Sequence, residues 1–82
     1  MTKLNPTIAR FDRAARLAGL ALREPSTNVR EFTGGDRRYR VEPGGKGVLR
    51  IKSYVGEQLD AEVVASLARA ESVINYVTSQ ES

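Results

Sequence analysis

The sequence predicts an α+β fold: a single small domain in the order helix, three-stranded antiparallel sheet, helix, with both helices packed on one sheet face. Three observations carry this. Residues 36–54 (DRRYRVEPGGKGVLRIKSY) alternate apolar and basic residues on either side of a glycine-rich turn, the pattern of a β-hairpin. The segments before and after it carry apolar residues at steps of three and four, the pattern of amphipathic helices. Neither helical stripe can be buried alone, so both are expected to cover the sheet's apolar face and leave the other in water.

The first helix is expected over residues 6–22. Asn5 suits the N-cap and Pro6 the first helical position. Ile8, Phe11, Ala15, Ala18 and Leu22 share one face, with Arg10, Arg13, Arg16 and Arg23 on the other side. Gly19 offers an earlier stop, and Pro25 ends the helix in either case. Leu17 and Leu20 fall off the stripe and mark either a ragged core edge or a contact with a partner or second copy, so a homodimer through the first helix is one option. Residues 25–28 read as a turn. Strands are expected over 29–33, 37–42 and 48–54. The first is poorly patterned, whereas Tyr39 and Val41 oppose Arg38 and Arg40 in the second. Leu49 and Ile51 oppose Arg50 and Lys52 in the third. The second helix is expected over 60–78, with Asp60 as N-cap, Glu62 favourable to the helix dipole and Leu59 stapled onto Val64. Val63, Leu67, Ala70, Ile74 and Val77 form its stripe.

A chain of 82 residues buries only roughly 60% of its unfolded surface, so nearly every large apolar residue is needed in the core. Cysteine and histidine are both absent, which excludes a disulfide framework and a thiolate or imidazole metal site. No apolar run approaches the ~18 residues of a membrane span, and residues 1–12 lack the apolar core of a secretory signal. These features predict a cytoplasmic protein with no cofactor, no metal and no membrane contact.

The net charge of +3 conceals a polarity along the chain. Residues 1–52 hold twelve cations against five carboxylates, and residues 53–82 hold one cation against five. Ten of the thirteen cations are arginine, which suits bidentate contacts with phosphate or carboxylate. Catalytic signatures are missing. A phosphate loop requires glycine five positions before its Gly-Lys pair, where this chain has Arg40 before Gly45-Lys46, and Gly47 stands in place of the Ser or Thr. The carboxylates fall at helix ends and turns rather than as a pair, and no histidine can activate a nucleophile. No enzymatic activity is expected.

The basic cluster remains as the functional signal. Arg37, Arg38, Tyr39 and Arg40 on one strand, and Arg50 and Lys52 on the next, predict a binding face that Arg10, Arg13 and Arg16 could extend. Its expected partner is nucleic acid, held through phosphates in a salt-dependent manner, or an acidic protein surface. Ion pairs with Glu31, Glu42 or Glu57 would instead make the cluster part of the architecture.

The helix–three strands–helix order resembles that of double-stranded-RNA-binding domains, and the meander with its following helix is similar to the arm-binding domains of phage integrases. The RNA-binding family grips phosphates with lysines at the start of its last helix. Asp60 and Glu62 stand there in this chain, so no functional residue is carried over. In size and lack of motifs the chain also resembles small phage and mobile-element proteins. These include anti-CRISPR and anti-restriction inhibitors, which act by occluding a host protein. Nucleic-acid binding in such a setting is the first functional expectation, and inhibition by surface occlusion the alternative.

Overall fold

The computed structural model describes residues 3–80. Seven elements follow in order: α1 (Pro6–Leu17), β1 (Arg23–Ser26), β2 (Val29–Gly34), β3 (Arg37–Gly45), β4 (Val48–Val55), β5 (Gln58–Ser66) and α2 (Leu67–Gln80). The strands form one antiparallel meander in sequence order. The α+β class holds, but the sheet has five strands where the sequence predicts three, so the likeness to helix–three strands–helix domains lapses. Both helices cover the same face. Ile8, Phe11 and Ala15 of α1 and Ala70, Ile74 and Val77 of α2 form one core with Phe32, Val41, Leu49, Ile51 and Ala65 of the sheet. Tyr39 packs against that core as a partly buried neighbour.

The start of α1 follows its local chemistry. The Asn5 Oδ1 accepts from the backbone N–H groups of Thr7 and Ile8 at 2.9 and 3.3 Å, with Pro6 after it. The helix ends at Leu17 rather than residue 22. Gly19 adopts φ 85, its N–H bonds the Arg16 carbonyl, and the Leu20 N–H reaches back to the Ala15 carbonyl at 2.9 Å. This double closure is a Schellman motif, in which the residue after the glycine packs back on the helix. Leu20 is accordingly buried, while Leu17 is 80% exposed. Ending the helix early frees residues 23–26 to form β1, which takes the first half of the turn expected over 25–28 and leaves the turn at 27–28.

The largest departure lies between residues 58 and 66. These are a strand, not the first turns of a helix, and Asp60 is no cap. Ser66 takes that role, its Oγ accepting from the Arg69 N–H at 3.3 Å. The spacing of Val63, Leu67 and Ala70 fits a helix, but Val63 and Ala65 also alternate as a strand requires. The choice falls to β4, whose second edge would otherwise present unpaired backbone groups. Gly56-Glu57 makes the tight connection, with Gly56 at φ 62. A Gly-X pair between two apolar runs is a hairpin signal that the helical spacing masks.

Arg30 explains why β2 is poorly patterned. In β2, Arg30, Phe32 and Gly34 face inward, so a guanidinium occupies a core-facing position. It is 5% exposed. Its Nε donates to Asp12 Oδ2 at 2.6 Å, and one terminal nitrogen donates to the carbonyls of Ser26, Thr27 and Val29. One side chain thus ties α1 to the β1–β2 turn. A second tie is Asn28, whose Oδ1 accepts from the Asn5 N–H and whose Nδ2 donates to the Lys3 carbonyl.

Candidate binding face on the open side of the sheet

Strand pairing decides which side chains share the uncovered face. Glu31 pairs with Arg40, Arg40 with Lys52, and Lys52 with Glu62, so the four form one row across β2 to β5. Neighbouring rows hold Thr33, Arg38, Tyr54 and Leu59, and then Glu42, Arg50 and Val64. Arg23 joins the face opposite Glu31. Arg38, Arg40, Arg50 and Lys52 therefore share one side of the sheet, on the register that the alternation predicts.

Three of these four are neutralised locally, so the expected basic cluster is largely spent on ion pairs within the sheet and is not a free cationic patch. Arg40 lies 3.5 Å from Glu31 and 3.1 Å from Glu42, Lys52 lies 3.4 Å from Glu42, and Arg50 lies 3.4 Å from Glu62. Five cations against three carboxylates leave this face with a net charge of only +2. The polarity read along the chain does not become two charged surfaces. The β4–β5 hairpin folds Asp60 and Glu62 of the acidic segment onto Arg37 and Arg50 of the basic one. Individually such exposed pairs contribute about 0–1 kcal/mol each, so their effect is on local charge rather than stability.

Arg38 differs. Among the described residues it makes no ion pair, and its guanidinium lies 5.1 Å from the centroid of the Tyr54 ring on the neighbouring strand. Beside it, near the start of β1, is a pocket of about 160 Å³ lined by Leu22 and Phe32 together with Arg23, Glu31 and Arg38. Arg23 likewise makes no ion pair among the described residues. Composition gives no hint of this pocket, because it depends on β1 ending short of the upper part of β2.

The remaining expected site residues lie elsewhere. Tyr39 faces the helices and stacks on Phe32, with ring centroids 4.9 Å apart, so it lies partly buried beside the core and not on the open face. Arg37 shares that inward side and bonds Asp60, beside an open cleft that Gly34 and Tyr76 also line. Arg10 and Arg13 are exposed on α1, which packs against the covered face, so they do not extend the open face. Arg16 is held by Asp12 and Glu24, both at 2.7 Å. Among the described residues there is no group of side chains suited to a metal ion and no helix long and apolar enough to cross a membrane.

The Asp12–Arg16–Arg30 cluster gives a pH prediction. Burial pushes the Asp12 carboxyl upward, but hydrogen bonds from Arg16 and Arg30 and their charges outweigh it and hold the group below its ordinary value. A depressed carboxyl stabilises the fold above its unfolded value, near pH 4, and that stabilisation is lost as pH falls through the folded value. Urea midpoints measured from about pH 6 downward should fall below about pH 4 in the parent chain and fall less in Asp12→Asn. Equal acid limbs would show that another carboxylate controls acid stability.

No family model, curated protein or solved structure matches this chain.

Proposed function

We propose that the protein is a non-catalytic binding module that docks its open sheet face on another protein and acts by occluding that surface. The observation that supports this reading is the interleaving of Arg40, Lys52 and Arg50 with Glu31, Glu42 and Glu62. A polyanion laid across this face would meet carboxylates wherever it met cations. A protein surface can supply both signs. The anchor is the apolar pocket flanked by Arg23 and Arg38 with Glu31 beside them, which suits an apolar side chain next to groups of both signs.

The test is the affinity for a partner captured from lysate and then purified. Arg38→Glu should weaken binding at least tenfold and shift stability by no more than about 0.5 kcal/mol. Arg69→Glu, on α2, is the control and should bind as the parent does. Arg40 is a poorer probe, because glutamate there would stand among Glu31 and Glu42 and disturb the face itself. A folded Arg38→Glu variant with parental affinity overturns the anchor. The second reading, single-stranded nucleic acid, is favoured by Arg38 over Tyr54, which offers a base a stacking platform. Retarded migration of polynucleotide in a gel, lost steeply with added salt and abolished by Tyr54→Ala, would assign the face to nucleic acid instead.

A further inference from the structure

The two edges of the sheet are unlike. β1 spans four residues, contains Pro25 and is irregular in its pairing, all features that discourage another strand from adding to it. β5 spans nine residues without proline, glycine or lysine, its bulge is confined to Asp60 near its start, and only Ala65 in it is buried. Leu59, Val63 and Val64 are 48, 40 and 54% exposed. Val63 pairs with buried Ile51 on the helix-covered side, so the core is open along this edge. Such an edge is a template for β-augmentation.

We propose that β5 pairs antiparallel with β5 of a second copy about a two-fold axis at Val63, giving a continuous ten-stranded sheet. Facing residues must lie on the same side of the sheet, which limits the registers. An axis at Glu62 sets carboxylate against carboxylate, and one at Ala61 sets Asp60 against Glu62; both are repulsive. An axis at Val63 sets Val63 against its own copy, Ala61 against Ala65 and Glu62 against Val64. It aligns residues 60–66 with no carboxylates directly opposed. On the open face each row then reads Arg50, Val64, the partner's Glu62 and the partner's Lys52, so cations flank the junction on both sides. This fit of charge and apolar contact is to the strand's own copy, and it is independent of what the open face binds. Six strands in from one β3 to the other make five spacings, which separates the two β3 strands by about 24 Å and suits a two-fold or repeated partner.

Sedimentation velocity over a concentration series tests this on the full chain. A concentration-dependent dimer is expected, and Val63→Lys should leave a monomer with the parental circular dichroism spectrum. Because a lysine at the core edge could also perturb folding, Val63→Cys provides a second test. Two such cysteines at the axis lie within disulfide reach, so mild oxidation should yield a covalent dimer efficiently, while Leu59→Cys should not. A chain monomeric at all concentrations overturns the proposal. So does a dimer that persists in Val63→Lys, a dimer lost in Leu17→Glu (which assigns the contact to α1), or equal cross-linking at the two cysteine positions.

Discussion

Replacing Arg30 with methionine should destabilise the fold by about 3–5 kcal/mol, the range for breaking a buried ion pair from one side. Methionine fills much of the same volume, so loss of packing is a small part of the effect. What remains is a partly buried Asp12 that has lost its shortest bond, and three carbonyls of the β1–β2 turn that have lost a donor. Arg16 still contacts Asp12 but is half exposed and shared with Glu24. Arg30→Lys should recover only part of the loss, because a single ammonium cannot span the carboxylate and the turn together. The double variant Asp12→Asn with Arg30→Met should cost less than the sum of the single changes, since no lone charge is left buried. Urea denaturation of the four proteins measures the coupling. A cost below about 1 kcal/mol for Arg30→Met would mean that the guanidinium is held in place by the fold rather than holding it.

Phe32→Ala should cost about 3–5 kcal/mol and Ile74→Ala about 2–5 kcal/mol, the ranges for large-to-small changes in a packed core. Phe32 is 2% exposed and stands between Tyr39, stacked at 4.9 Å, and Phe11, whose ring is tilted with its centroid 6.1 Å away. Its removal takes away the ring through which Phe11 of α1 meets Tyr39 on the sheet. Ile74 is equally buried at the centre of α2. Leu67, at the start of α2 and only partly buried, is the internal comparison and should cost less than either. In a chain of this size either core change is large enough to unfold much of the population at 37 °C, because such domains hold only roughly 0.05–0.15 kcal/mol per residue. Thermal melts that leave Phe32→Ala within a few degrees of the parent would show that the core closes without it.

The candidate site was half legible before folding. The common side of Arg38, Arg40, Arg50 and Lys52 follows from the two-residue period of a strand, and strand pairing preserves it. Their neutralisation does not follow from it. Whether Glu42 reaches Arg40 and Lys52, and whether Glu62 reaches Arg50, depends on the register and on a fifth strand that the helical spacing of Val63, Leu67 and Ala70 conceals. The same concealment hid the exposed edge on which the proposed dimer rests. Tyr39 carries two signals at once. Strand periodicity places it inward and its position among arginines suggests a binding role; the stack on Phe32 across the strand pair puts it on the helix-covered side, away from the open face.

Local chemistry alone settles the α+β class, the N-terminal cap of α1, the β3–β4 hairpin and the apolar stripe Ala70, Ile74 and Val77. Each depends on interactions within a few residues or on a period set by the backbone. Tertiary structure decides the rest where local preferences are balanced. Gly19 could interrupt or end a helix, and the burial of Leu20 against the core ends it. Residues 58–66 fit helix and strand alike, and the open backbone of β4 makes them a strand. Arg30 breaks the pattern of its own strand because Asp12, on α1, is brought against it only by the folded chain, beside the nearby turn carbonyls of Ser26, Thr27 and Val29. A buried charge is stable where such partners converge, and their convergence is a property of the whole fold rather than of any stretch of it.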